Sequence, residues 1–117
     1  MNNDAWQVLR ASLESAPMAI VALDRHQRYW LWNAAAVELT GITAQEAIGH
    51  TPRELMGEHI GSSVERACAD IFRTGTAPEH ILTYRWPGPK TPDVRVHRSA
   101  VRDAQGTIIG AISHVVD

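Results

Sequence analysis

The stretch from Tyr29 to Gly41, YWLWNAAAVELTG, decides the fold. Tyr29, Trp30, Leu31 and Trp32 are bulky side chains of the kind that suit a pleated, half-buried surface. Asn33 changes the structure, because its short amide can accept a backbone N–H from the following turn and cap a helix. Ala34, Ala35 and Ala36 are strong helix formers. Leu39 supplies an apolar contact, and Gly41 stands where a helix ends in a left-handed turn. The stretch therefore reads as a strand running directly into a capped helix. Trp30 and Trp32 share strand parity and are expected on one side of the sheet. If that side is the interior, two indoles leave less room there for a ligand.

Upstream, Asn2 to Ser15 reads as an amphipathic helix with Asp4 as N-cap and Gln7 as its capping-box partner. Trp6, Leu9 and Leu13 fall on one stripe at helical spacing, which must cover the domain's own sheet or a second copy of it. Ser15-Ala16-Pro17 ends the helix. Met18 to Leu23 is a continuous apolar run of strand length, as expected of a strand covered on both faces. Asp24 to Gln27 is a turn, and Arg28 to Trp32 is the partner strand.

Downstream, Thr43-Ala44-Gln45-Glu46 is a capping box whose short helix Gly49 stops. Thr51-Pro52 starts another helical turn through Leu55 and Met56. A longer helix is expected from Ser62 to Thr74. Val64, Ala67, Cys68, Ile71 and Phe72 lie on its apolar face, and Gly75 is its stop. The last third is strand-like. Glu79 to Trp86, Val94 to Val101 and Thr107 to Val116 are separated by Pro87-Gly88-Pro89 and by the hairpin loop Asp103 to Gly106. Strands grouped at both ends with helices between them imply an α+β domain, an antiparallel sheet with helices on one face.

The 117 residues suit one domain, divided into an N-terminal capping or dimerisation helix (1–15) and the domain proper (16–117). A net charge of -2 and a pI near 6.3 lack the basic balance of a nucleic-acid module, so no nucleic-acid partner is expected. Cys68 is the one cysteine, which excludes an internal disulfide. No apolar run approaches the ~20 residues of a membrane helix, and the N-terminus lacks a signal-peptide pattern. A cytoplasmic location without membrane contact within this segment is therefore expected. There is no nucleophile elbow, no phosphate loop, and no two of the six histidines stand three or four residues apart. No catalytic residue and no metal site are expected, and the chain reads as a regulatory module rather than an enzyme.

The order of elements and turns resembles the PAS domain (sensory box), from about Leu13 to Asp117. Asp24 ends the first strand where the family has an aspartate. Trp32-Asn33-Ala34-Ala35-Ala36 is similar to the family's aromatic-Asn-x-Ala-Ala corner, Leu39-Thr40-Gly41 to its Leu-x-Gly, and Glu46-Ala47-Ile48-Gly49 to its Glu-x-x-Gly. Thr74-Gly75 is similar to the Thr-Gly before the third strand. Arg102-Asp103 through Gly106, then Gly110, is similar to the Asp-x-x-Gly…Gly hairpin. The chain departs from the pattern in two loops. His26-Gln27 stands where the family often has Asp-Gly, which implies a turn that needs no glycine, and the Pro87 to Pro92 loop is unusually proline-rich.

The resemblance implies a five-stranded antiparallel sheet with helices on one face and a pocket between them. It places Val94, Val96, Arg98 and Ala100 facing the helices, with Ile109, Ala111, Ser113 and Val115. The pocket residues it suggests are Trp32, Val64, Cys68, Ile71, Val94, Val96, Arg98 and Ser113. An inward Arg98 needs an acceptor, which a ligand carboxylate, Asp70 or Glu54 would supply. The opposite face would carry Ile108, Gly110, Ile112 and His114, with Arg95, His97 and Val101. A homodimer is expected through Trp6, Leu9, Leu13, Ile112 and His114. The leading reading is a non-catalytic sensor or interaction module of a larger signalling protein of the histidine kinase or diguanylate cyclase type. It would sense a small ligand, or relay a signal, to an output domain beyond Asp117 in the same full-length chain. The alternative is a pure dimerisation domain without ligand. A haem or flavin sensor is the third reading: His59 would be the iron ligand, with His50 and His80 nearby, and the flavin photoadduct motif Asn-Cys-Arg is lacking. No cofactor is expected.

Overall fold

The computed structural model describes the backbone of residues 3–77, 80–83 and 93–116, and the side chains of 7–77, 81 and 93–116. In chain order the elements are α1 (Asn3–Glu14), β1 (Ala19–Asp24), β2 (Tyr29–Trp32), α2 (Ala34–Thr40), α3 (Ala44–Ala47), α4 (Pro52–Thr74), β3 (His80–Thr83), β4 (Asp93–Arg102) and β5 (Ile108–Val116). The strands form one antiparallel sheet in the order β2-β1-β5-β4-β3. The proline-rich turn expected at Pro87 to Pro92 lies outside the described residues. Asp4 falls inside α1 rather than capping it.

β1 is apolar from Ala19 to Leu23, where it lies inside the sheet and is buried on both faces. Ala19, Val21 and Leu23 enter the main core, whereas Ile20 and Ala22 enter a smaller cluster on the other face with Leu31. The β1–β2 turn corrects one expectation. Asp24 Oδ1 accepts from the backbone N–H groups of His26 (2.8 Å) and Arg28 (3.1 Å), and Gln27 adopts φ 62°. The turn therefore does require a left-handed residue. Gln27 fills that position at a cost of roughly 1–2 kcal/mol relative to glycine. Its Nε2 donates to the Glu65 carbonyl at 2.9 Å, which ties the hairpin to α4.

Two bulges reset side-chain direction. In β1–β2, Leu23 pairs with Tyr29 and Ala22 with Leu31, so Trp30 is the extra residue. Tyr29 and Trp32 consequently share the inner face and meet edge-to-face, with ring centroids 5.1 Å apart and an interplanar angle of 83°. Trp30 packs on the outer cluster, so the two tryptophans do not share a face. In β4–β5, Val101 pairs with Gly110 and Arg102 with Ile108, which leaves Ile109 extra. Ile109 is exposed and Ile108 packs against the core, the reverse of their expected directions. Beyond the bulge the expected register holds, with Arg98 opposite Ser113 and Val96 opposite Val115.

The helices lean on the inner face. Thr43 and Glu46 form the expected capping box of α3, and a second box joins Thr51 and Glu54 at the start of α4, with Pro52 in its first turn. α4 begins earlier than Ser62 and contains a sharp kink at Gly57 (φ 87°, ψ 171°). The kink folds the two halves onto each other so closely that a Cβ on Gly61 would lie 2.4 Å from the Arg53 Cα. Arg53 also reaches back to Glu65, its Nε 3.1 Å from one carboxylate oxygen and its backbone N–H 3.0 Å from the other.

Replacing Gln27 by glycine and by alanine removes the same hydrogen bond to Glu65 but relieves the left-handed strain only in the glycine variant. Urea denaturation is expected to find Gln27→Gly more stable than Gln27→Ala by about 1 kcal/mol. Equal stabilities would show that the turn carries no strain.

Candidate functional site: a cavity between sheet and helices

Asn33 builds the wall that closes the site. It is buried, and its Oδ1 accepts from the Ala36 N–H (2.9 Å) and the Ile20 N–H (3.0 Å). Its Nδ2 donates to the carbonyls of Leu13 (3.0 Å) and Met18 (2.9 Å). The amide thus caps α2 and pins it to the start of β1 and the end of α1. Gly41 closes α2 with φ 78°. Trp32 Nε1 donates to the Ile42 carbonyl at 2.9 Å, which fixes the indole against the loop after α2.

Between these helices and the sheet lies a cavity of about 40 Å³. Its floor is the inner sheet face: Ala19, Val21 and Leu23 of β1, Val94, Val96 and Arg98 of β4, and Ser113 and Val115 of β5. Tyr29 and Trp32 stand at one side. Ala36, Leu39 and Thr40 of α2 and Met56 and Val64 of α4 form the roof. That volume holds a few water-sized groups, by the measure that one water needs roughly 10–15 Å³. The walls are almost wholly apolar. Arg98 is the single charged group among the lining residues, and Tyr29, Thr40 and Ser113 bring hydroxyls.

Arg98 is nine-tenths buried. Neither Asp70 nor Glu54 serves it. Asp70 pairs with Arg73 at 2.6 Å, and Glu54 lies 3.4 Å from Arg28 and 3.7 Å from His50, both on the exposed surface. Among the described residues, Arg98 lies close to the Cys68 thiol and the Tyr29 phenol and acts on both electrostatically. Burial pushes the Cys68 thiol up, with Arg98 opposing the shift. Burial also pushes the Tyr29 phenol up, reinforced by Cys68 and opposed by Arg98. Both groups are neutral at physiological pH, which leaves Arg98 as the charged member of the three, in an apolar site where electrostatic interactions are strong.

Trp32, Val64, Val94, Val96, Arg98 and Ser113 line the cavity as expected from their positions. Cys68 and Ile71 do not. Both are completely buried in the core, Cys68 one and Ile71 two helical turns beyond Val64 along α4. Tyr29, Leu39, Thr40 and Met56 were not foreseen. The bulge at Trp30 turns Tyr29 inward, and the kink at Gly57 brings Met56 over the sheet. No spacing rule signals Thr40.

Neither His59 nor His50 is placed to hold a haem in the cavity. His59 is exposed in the turn of α4 after the kink, and His50 is an exposed partner of Glu54. The side chain of His80 lies outside the described residues. Among the described residues no histidine lines the cavity, whose volume is far below that of a porphyrin or flavin.

The outer face is only partly covered. Leu13 and Ala16 pack with Trp30 and Ile112 over Ile20, Ala22 and Leu31. Leu9 is 48% and Val8 66% exposed, so neither is covered within this chain. His97 and His114 pair across strands on this face, both exposed. The side chain of Trp6 lies outside the described residues. Among the described residues, no helix is long and apolar enough to cross a membrane.

Several solved structures share this fold. A Vibrio cholerae VqmA–ligand–DNA complex superposes with a TM-score of 0.80 at 21% identity, over 97% of this chain and 50% of that one. A VqmA dimer without target DNA gives 0.78 at 19%, over 100% and 52%. The chain thus spans about half the length of these proteins. A Rhodobacter sphaeroides LOV protein gives 0.76 at 17% identity, over 98% and 67%. The PAS domain of Bordetella pertussis BvgS gives 0.70 at 21%, over 98% and 87%. No curated protein matches the chain. The family model described as "PAS fold" matches residues 13–117, which include α2, the capped corner at Asn33 and every wall of the cavity, and the chain belongs to that family.

Proposed function

We propose that this PAS domain is a sensory module that binds a small, mostly apolar molecule carrying one hydrogen-bond acceptor. The observation that carries this reading is the buried Arg98 at an otherwise apolar cavity, flanked by the Ser113 hydroxyl. Ligand sites of this kind combine apolar walls with a few placed polar groups. A guanidinium presents several donors in a rigid fork, and it recognises an acceptor strongly where water is excluded. Ser113 and Val115 lie on β5, the last strand of the sheet in chain order. An occupant therefore touches the strand that would connect to an output domain. It would bias that strand only by its difference in affinity for two packings of the helices.

The output domain, of the histidine kinase or diguanylate cyclase type, belongs to the same reading. So does a homodimer, which the exposed Val8 and Leu9 of α1 favour and for which the VqmA dimer is a precedent. That neighbours include a DNA complex leaves the charge balance as the sole ground for expecting no nucleic-acid partner here. The second reading, a dimerisation domain without ligand, draws on the modest volume of the cavity and on Tyr29 and Trp32 filling one side of it.

A nuclear magnetic resonance screen against compounds of a few heavy atoms that carry one acceptor (acetone, acetaldehyde, dimethyl sulfoxide) tests the sensory reading. Binders should shift the amides of Val96, Arg98 and Ser113 and the Trp32 indole, and Arg98→Met should weaken them tenfold or more. Binders that move surface amides alone would favour the dimerisation reading. Light scattering should find a dimer that Leu9→Glu dissociates; a wild-type monomer at high concentration would remove α1 as an interface.

A further inference from the structure

A second hollow adjoins the cavity. It is a solvent-open cleft of about 320 Å³ between α2, the start of β1 and the end of β5. Ala19, Leu39 and Val115 line both spaces, so the two adjoin at these side chains. None of the three is large, and only Leu39 has a long, rotatable side chain. α2 packs on β1, and the cleft opens between it and the end of β5. The opposite side of the cavity is sealed differently. There Met56 sits beneath a helix half locked by the Arg53–Glu65 pair and by the backbone contact at Gly61.

We infer that this cleft is the passage by which small molecules reach the cavity, with Leu39 as its gate, and that it admits uncharged molecules in preference to anions. The inference rests on the cavity being a ligand site. A rotation of the Leu39 side chain joins the two spaces without breaking a backbone hydrogen bond, whereas opening the Met56 side breaks the Arg53–Glu65 contacts. Among the described residues lining the cleft, Glu38 is the one charged side chain, and it lies at the exposed surface. Its carboxylate repels anions at the mouth. The gate beyond it is apolar, so an anion would also have to lose its water there before meeting Arg98. The route runs beside Val115 and Val116, so passage of a molecule loosens the end of β5 itself.

Xenon is a suitable probe, being uncharged, monatomic and known to occupy dry apolar cavities. Its exchange between water and the domain can be followed by saturation-transfer resonance of the isotope xenon-129. Met18 and Val116 line the cleft but not the cavity. Met18→Trp and Val116→Phe should fill the cleft and slow xenon exchange tenfold or more in both directions while leaving equilibrium occupancy unchanged. Ile81→Trp, on exposed β3, should change neither. Unaltered exchange in a folded Met18→Trp or Val116→Phe variant would overturn the passage and leave the cavity reading standing. Absence of any bound xenon in the wild-type protein would overturn both.

Discussion

The Asn33 side chain has two N–H donors and one oxygen with two acceptor sites, and all four are used by backbone groups from three separate segments. The rest of the domain depends on this. The amide lies at the point where β2 ends, α2 begins, β1 starts and α1 finishes. Backbone groups at such a junction have no regular ladder to join, and each would be costly to bury alone. One side chain satisfies four of them. It thereby sets the angle at which α2 leaves the sheet, and α2 is a wall of both the cavity and the cleft beside it. Function here begins with a helix cap.

Two further local devices shape the site. The bulge at Trp30 brings Tyr29 and Trp32 onto the same face, where they occupy one end of the space under the helices. The reversal at Gly57 folds the first turn of α4 back on the rest and presents Met56 to the cavity. These features are why the cavity is small and one-sided. Its charged group, Arg98, and the Ser113 hydroxyl lie on β4 and β5, while the β1 wall is wholly apolar.

Much of this was legible in the chain, and the reason differs by element. The corner at Asn33 could be read because a strand-like aromatic run, a capping residue and three alanines are local signals that point the same way. β1 could be read from its unbroken apolar run, and α3 from its capping box. The inward register of Val94, Val96 and Arg98 was legible from family likeness. What could not be read were the bulges. A bulge is one extra residue, and it reverses the facing of everything on one side of it. Trp30, Ile108 and Ile109 were misplaced for that reason alone. The kink at Gly57 was visible only as a loosening glycine. Its consequences, an exposed His59 and an inward Met56, depend on tertiary packing. Cys68 was placed on the correct face of α4 but at the wrong depth, since helical periodicity gives direction and not distance from a cavity. The left-handed Gln27 shows that a turn's geometry can persist when its usual residue is absent, if the replacement gains a partner elsewhere.

The claim that one amide ties the chain's entering segment, β1 and α2 together is tested most directly by the stability of Asn33→Asp as a function of pH. Aspartate keeps the acceptor for Ala36 and Ile20 but turns a carboxylate oxygen towards the carbonyls of Leu13 and Met18. Those carbonyls disfavour the charged form, so the introduced carboxyl should have a raised folded-state pKa. The folded state then binds more protons, and stability should fall as pH rises through the carboxylate range. At neutral pH the loss should be about 3 kcal/mol or more, from two buried carbonyls left facing a charge. Partial recovery is expected in acid, where a protonated carboxyl donates to one of them. A loss near zero at every pH would contradict the account, because it would mean that capping α2 is all that Asn33 does.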